Sequence, residues 1–214
     1  MKYKALIFDL DGTLINTLAD LNEAVNFALS KYNYPLRTLE NTRNDIGNGV
    51  AKLMERSIPD GLNNPNYSDA LNLFKEYYKE NYFKNSRPYP EIIETVKKLK
   101  EKYILAVVSN KFDEGAKKLV NYFFPDVFTV IQGQVDYLRT KPSPDLVNKV
   151  LDEIKVKRNE VCYIGDTEVD YLTAQNSTIS CVLVTYGYRN KEQLLDKTKG
   201  SQFVSEPTDL LKLF

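Results

Sequence analysis

Apolar residues in this chain fall into two periodicities, and their alternation predicts the architecture. Short β-prone runs occur at Ala5–Phe8, Ile104–Val108, Val127–Ile131, Val161–Ile164 and Cys181–Thr185, with a weaker one at Phe203-Val204. Between the later runs, apolar positions recur at helical spacing. Ile92, Ile93, Val96 and Leu99 form one stripe, Leu119, Val120 and Phe123 a second, and Leu146, Val147, Val150, Leu151 and Ile154 a third. Strand–helix alternation of this kind predicts a parallel sheet with right-handed crossovers and helices on both faces. The expected fold class is α/β, with a doubly wound parallel sheet core.

One interval breaks the rhythm. From Leu14 to Pro88 no convincing strand appears, only helical periodicity. Leu21, Ala24, Val25, Ala28, Leu29 and Tyr32 mark a first helix, with Thr17-Leu18-Ala19-Asp20 as its start signal and Tyr34-Pro35 as its stop. Val50, Leu53, Met54 and Ile58 mark a second helix, ended by Pro59, and Phe74, Tyr77, Tyr78, Asn81 and Tyr82 a third. The pattern predicts an α/β core over residues 1–15 and 88–214 and an inserted all-helical cap domain over residues 16–87.

Composition narrows the chemistry. Lysine plus arginine equals aspartate plus glutamate at 29 each, so no general attraction to nucleic acid or anionic membranes is expected. The aromatics among Lys75, Lys79 and Lys84 keep helical core spacing, which argues against a nucleic-acid surface there. The absence of histidine removes the usual general base, the commonest metal ligand and every serine–histidine scheme. Acid–base work must therefore fall to carboxylates, lysine, tyrosine or cysteine. Cys162 and Cys181 lie inside apolar runs and read as small buried hydrophobes rather than a redox pair. No signal peptide is read before the first strand, and the longest apolar run, Tyr103 to Val108, is far short of a membrane span. A soluble, cytoplasmic protein is expected.

Against this background, four groups of polar residues fall at the ends of predicted strands. They are Asp9 and Asp11 in Asp9-Leu10-Asp11-Gly12-Thr13, Ser109-Asn110, Lys141 in Thr140-Lys141-Pro142-Ser143-Pro144, and Asp166 and Asp170 in Gly165-Asp166-Thr167-Glu168-Val169-Asp170. Residues n and n+2 of an extended segment point the same way, so Asp9 and Asp11 should share a pocket. In a parallel sheet all four groups lie along one edge, where open α/β sheets bind ligands. The glycine and glutamate positions of a helix-loop-helix calcium site are not met.

Each group has a plain structural account. Ser109-Asn110 is a common strand ending, Ser143 and Pro144 make a good helix start, and Asp166 with Asp170 could open a capped helix. Together they point to phosphoryl transfer. A phosphate dianion beside Asp9, Asp11 and Asp166 costs roughly 4 kcal/mol per unit-charge pair at about 4 Å and an effective dielectric near ~20. A hard divalent ion with oxygen ligands, Mg2+, offsets that repulsion. Lys141 adds a fixed positive charge, and Ser109 and Asn110 offer hydrogen bonds to phosphoryl oxygens.

This four-motif order resembles the haloacid dehalogenase superfamily, specifically its phosphatase branch with a helical cap after the first motif. The resemblance spans essentially the whole chain. Ile46-Gly47-Asn48-Gly49 with Leu53-Met54-Glu55-Arg56, and Val184-Thr185-Tyr186-Gly187-Tyr188, are similar to phosphoglycolate phosphatases. One departure is Ser177-Thr178, where the family usually carries an Ala-Gly pair at a helix end.

The resemblance implies Asp9 as nucleophile and Asp11 as general acid and base. It implies Mg2+ held by Asp9, the Asp11 backbone carbonyl and Asp166, with Asp170 as ligand or neighbour. Ser109, Asn110 and Lys141 are the implied phosphate contacts. In the cap, Gly47 and Gly49 suit either a tight turn or the close approach of a helix N-terminus to an anion. Arg43 and Arg56 are candidates for a substrate carboxylate, against the alternative of a solvated charged face shared with Lys52.

The implied partner is a small phosphorylated metabolite, with no nucleic acid or membrane, acted on by a monomer or homodimer. Pyrophosphate, sugar phosphates and nucleotides are rival substrates. A phosphoacceptor receiver domain or a binding protein is the rival outside the class. A phosphosugar mutase is disfavoured by the absence of a cap histidine, and a dehalogenase by the intact aspartates.

Overall fold

The computed structural model describes residues 2–214. Contacts divide the chain into two compact units, residues 1–15 with 88–214 and residues 16–87. The elements in chain order are β1 (Ala5–Phe8), β2 (Ile15–Asn16), α1 (Leu18–Ser30), α2 (Leu39–Asp45), α3 (Val50–Ser57), α4 (Tyr67–Asn81), β3 (Arg87–Pro88), α5 (Ile92–Lys100), β4 (Ile104–Phe112), α6 (Asp113–Phe123), β5 (Val130–Gln134), α7 (Asp145–Ile154), β6 (Val161–Gly165), α8 (Glu168–Asn176), β7 (Ser180–Val184), α9 (Lys191–Leu195), β8 (Gln202–Val204) and α10 (Leu210–Leu213).

In the α/β unit six strands form one sheet in the order β5-β4-β1-β6-β7-β8, and every pairing is parallel. The strand order reverses around β1, so the crevice beyond its carboxyl end is a topological switch point. Alternate residues of β1 serve opposite faces. Ala5 and Ile7 join Val108, Leu146, Val150 and Tyr163 in one core cluster. Phe8 packs edge-on against Phe128, which packs edge-on against Phe124. Burial on both faces explains why these strands read as unbroken apolar runs.

The boundaries of β4 and β5 differ most from the sequence expectation, while β6, β7 and β8 shift by one residue. The strand expected at Val127–Ile131 begins at Val130, because Asp126 takes a positive φ of 59° and the Val127 N–H turns back to the Phe124 carbonyl. It continues through the polar Gln132, which is buried and in register with Val108. The strand expected to end at Val108 runs on to Phe112, with a register shift against β5 between Val108 and Phe112.

Ser177-Thr178 ends α8 as a Schellman motif. The Ile179 N–H donates to the Ala174 carbonyl and the Thr178 N–H to the Gln175 carbonyl, with Thr178 at φ 56°. A threonine holds the left-handed position that glycine usually takes. Cys162 and Cys181 are free.

The second unit is built on α1 to α4. Its interior comprises Ala24, Val25, Ala28 and Leu29 of α1, Leu53 and Met54 of α3, and Ala70, Phe74 and Tyr78 of α4. Helix α2 carries no apolar stripe and buries only Thr42. It forms because Thr38 and Asn41 make a reciprocal capping box. Thr17 makes no side-chain cap for α1. The buried Asp20 instead accepts hydrogen bonds from the Asn85 and Ser86 N–H groups, both at 2.8 Å, and from the Ser86 hydroxyl at 2.6 Å. Among the described residues no helix is long and apolar enough to cross a membrane.

Candidate active site

The carboxyl ends of β1 and β6 each deliver aspartates into the crevice, and a lysine from the β5–α7 connection joins them. Lys141 is buried and its Nζ lies 2.7 Å from Asp9 Oδ1, 2.7 Å from Asp170 Oδ1 and 3.1 Å from the Tyr163 hydroxyl. Oxygens of Asp9, Asp166 and Asp170 lie within 4.8 Å of one another, and all three residues are buried. Residues up to 161 positions apart in the chain thus meet at one point of one sheet edge.

Local structure explains how each carboxylate is aimed. The Asp9 N–H donates to the Ile164 carbonyl, which docks the end of β1 against β6. Gly12, at φ 93°, lets the following turn pass directly over Asp166; a Cβ there would stand 2.2 Å from Asp166 Oδ2. Asp166 Oδ2 accepts from the Tyr188 N–H at 2.7 Å, and Oδ1 from the Thr13 hydroxyl at 3.3 Å. Asp170 occupies the third position of α8. Its Oδ2 accepts from the Asp166 N–H, the Thr167 N–H and the Thr167 hydroxyl, while Oδ1 faces Lys141. The capped-helix account of Asp170 and its place in the cluster are therefore both realised, one on each oxygen.

Burial and mutual repulsion unbalance the site. Desolvation, followed by the charge of Asp170, pushes Asp9 up to about 7 against the pull of Lys141. Desolvation, then Asp170 and Asp9, raise Asp166 well above the ordinary carboxylate range. Burial alone lowers Lys141, but Asp170 and Asp9 overcome it and hold the ammonium well above its ordinary value. Three carboxylates around one ammonium leave a deficit of positive charge, and the donors are all hard oxygens. This donor set fits a divalent cation of the magnesium type.

Other predicted residues are placed differently. Asp11 is not part of the group of three; its Oδ1 accepts a hydrogen bond from Lys111 Nζ at 3.0 Å. Ser109 is buried and its hydroxyl accepts the Lys111 N–H at 3.1 Å. The Asn110 Oδ1 accepts the Lys141 N–H at 2.7 Å and its Nδ2 donates to the Lys141 carbonyl at 3.1 Å. Asn110 therefore clamps the backbone that presents Lys141, because its carboxamide matches a peptide group donor for acceptor. Ser143 opens α7 as expected from the sequence, although the helix itself begins at Asp145 with Pro144 as N-cap: Ser143 Oγ accepts the Asp145 N–H at 3.4 Å and donates to Asp145 Oδ1 at 2.8 Å.

Arg43 and Arg56 lie exposed in the helical unit, on α2 and α3. Arg56 donates to the Asp45 carbonyl at 2.7 Å and to Asn48 Oδ1 at 2.9 Å, bracing the turn that carries Gly47 and Gly49. Lys52 pairs with Glu55 at 2.7 Å on the exposed face of α3. Gly49 is the N-cap of α3 at φ 82°, which agrees with the tight-turn account.

Two side chains at the site escaped the sequence reading. Lys111 directly follows Ser109-Asn110, a signal that was available. Tyr163 is hidden inside an apolar run and carries no sequence signal of its polar task.

Comparison with known proteins agrees with this geometry. The family model described as haloacid dehalogenase-like hydrolase matches residues 6–184. A phosphoglycolate phosphatase of Aquifex aeolicus is 32% identical over 213 residues, covering 98% of this chain and 96% of that one. A phosphoglycolate phosphatase of Mannheimia succiniciproducens is 31% identical over 221 residues, covering 99% and 98%. A crystal structure of a protein from Lactobacillus delbrueckii subsp. bulgaricus matches with a TM-score of 0.93 at 32% identity, covering 100% of this chain and 98% of that one. With its aspartate cluster at the switch point and a family match over most of its length, the chain belongs to the haloacid dehalogenase-like hydrolases.

Proposed function

We propose that this hydrolase cleaves small phosphate monoesters through an aspartyl-phosphate on Asp9, with Mg2+ as cofactor and phosphoglycolate as the favoured substrate. The observation that carries this reading is the meeting of Asp9, Asp166 and Asp170, with oxygens within 4.8 Å of one another, around a Lys141 ammonium bonded to Asp9 and Asp170 at the end of β1. Full-length similarity to phosphoglycolate phosphatases supports the substrate.

Asp9, Asp166, Asp170 and the Asp11 backbone carbonyl would hold Mg2+, which would supply the missing positive charge and Lewis acidity toward the phosphoryl group. The chain's own groups carry the steps. An Asp9 oxygen attacks phosphorus in line and forms a P–O bond as the bond to the leaving alkoxide breaks. The Asp11 carboxylic acid gives its proton to that alkoxide. Asp11, now a carboxylate, takes a proton from water, whose oxygen bonds phosphorus while the Asp9–phosphorus bond breaks. Inorganic phosphate leaves, and both aspartates return to their starting states. Lys141, fixed by Asn110 and Tyr163, keeps the Asp9 carboxylate oriented throughout.

The test is phosphate release from phosphoglycolate and a panel of phosphomonoesters, with Mg2+ and with chelator. Mg2+-dependent turnover with phosphoglycolate foremost is expected; multiple turnover by Asp9→Asn would sink the nucleophile assignment. Alanine at Arg43 and at Arg56, compared on carboxylated and uncarboxylated monoesters, tests the carboxylate contact. An unchanged preference in both variants clears the two arginines.

A further inference from the structure

We propose that Lys111 is a positioning residue that holds the Asp11 carboxylate in place between its two proton transfers. This inference rests on the phosphatase reading above and adds a residue to it. Lys141 cannot do this task. Its three N–H bonds already face three acceptors, on Asp9, Asp170 and Tyr163. Lys111 is another buried ammonium at this edge, and its Nζ lies 3.0 Å from Asp11 Oδ1.

The backbone around Lys111 is built to aim it. Strand β4 changes register against β5 between Val108 and Phe112, and such irregularities next to active sites re-aim side chains. The facing residue on β5 is Gly133. A Cβ there would stand 2.7 Å from the Lys111 carbonyl oxygen and 2.5 Å from Asp113 Cα. Only the absence of a side chain lets β5 approach this segment. Asp113 Oδ1 then accepts the Gly133 N–H at 3.0 Å, and Ser109 Oγ accepts the Lys111 N–H at 3.1 Å. The lysine backbone is thus pinned from both sides, while its side chain is 2% exposed against 19% for Asp11. A rigid cation holding a more exposed carboxylate is the arrangement that fixes a proton carrier's geometry.

The experiment compares Lys111→Met, Asp11→Asn and the double variant on p-nitrophenyl phosphate, whose leaving group departs as an anion and needs no proton. Wild-type enzyme is run alongside on the same substrate and on phosphoglycolate. We expect Lys111→Met to release about one equivalent of nitrophenolate per enzyme in a fast phase, then to turn over ~10–100-fold more slowly than wild type with KM within about threefold. The double variant should be no slower than Asp11→Asn, because two changes acting through one group do not add.

Unchanged kcat in Lys111→Met overturns the proposal. So does equal slowing of both phases with a raised KM, or a further loss in the double variant, since these mark a phosphate contact or a structural role. If Lys111→Met fails to fold, Lys111→Gln carries the same comparison. Absence of Mg2+-dependent turnover in the wild type fails the phosphatase reading itself, and this proposal with it. A wild type that turns over while Lys111→Met matches it fails this proposal alone.

Discussion

Lys141 Nζ lies 2.7 Å from Asp9 Oδ1, and the ion pair is buried from water at the junction of the β1 end and the β5–α7 connection. The same ammonium also pairs with Asp170, so its removal strands two carboxylates at once. Breaking a buried pair by deleting one partner costs about 3–5 kcal/mol, because the remaining charge has lost both water and counter-ion. Lys141→Met should destabilise the metal-free protein by that order in urea unfolding, and Mg2+ should recover part of the loss. A variant as stable as wild type in chelator would show that the ammonium is not balancing these carboxylates.

The site should also make stability depend on pH in an uncommon direction. Asp9 is pushed up to about 7 from an ordinary 3.8, so the folded chain holds its proton more tightly than the unfolded chain does. That contribution is complete below the unfolded value and is lost as pH rises through about 7. Asp166 is shifted in the same direction. Metal competes with these protons, so stabilisation by Mg2+ should grow over the interval in which the metal-free protein weakens. Thermal unfolding with Mg2+ and with chelator, at steps between about pH 5 and pH 8, should show the gap between the two widening as pH rises. A gap that narrows would exclude a carboxylate site of this kind.

Much of this arrangement was legible in the chain. The runs Ala5–Phe8 and Val161–Ile164 are apolar because the strands are covered on both faces, and aspartates directly after such runs must lie at a strand end. What stayed hidden depends on tertiary partners. Asn110 reads as a ligand donor, and its clamp on the Lys141 peptide becomes visible only in the fold. Tyr163 reads as core until its hydroxyl is seen donating to the Val108 carbonyl and receiving from Lys141. Helix α2 has no apolar periodicity to detect, since its stability comes from the Thr38–Asn41 capping box. The shift of β5 follows from the left-handed turn at Asp126, which no periodicity encodes.

In the helical unit the carboxylate of Asp20 is buried and is satisfied by the Asn85 and Ser86 N–H groups, the Ser86 hydroxyl and the Asn85 carboxamide. Asp20→Ala leaves the buried Ser86 N–H unmet, whereas the Ser86 hydroxyl keeps the Tyr82 carbonyl and the exposed Asn85 can turn to water. Each such group costs roughly 1–3 kcal/mol. The expected outcome is a loss of about 1–3 kcal/mol in urea unfolding, together with accelerated amide exchange at Asn85 and Ser86. Asp20→Asn retains one acceptor oxygen and should lose less. Equal losses in the two variants would overturn this account, since the acceptor oxygen that asparagine retains would then contribute nothing.

Gly12 and Gly49 allow backbone strain to be separated from displacement of the site. Both have positive φ, 93° and 82°, so alanine at either position incurs a backbone cost of order 1–3 kcal/mol. Their surroundings differ. A Cβ on Gly49 meets nothing within 4 Å, whereas one on Gly12 would lie 2.2 Å from Asp166 Oδ2 and 2.8 Å from Oδ1. Asp166 has nowhere to retreat. Its carboxylate is held by the Tyr188 N–H, and Gly187 already passes so close that a Cβ there would stand 2.5 Å from Asp166 Cβ. Gly12→Ala must therefore move the turn after β1, the Asp166 side chain, or both, and a displacement of about 1 Å at a reacting centre can cost ~100-fold in rate. Gly12→Ala should lose more stability than Gly49→Ala in chelator, and only Gly12→Ala loses Mg2+ stabilisation and turnover. If Gly12→Ala kept its response to Mg2+, the close approach of this turn to Asp166 would have no part in shaping the metal site.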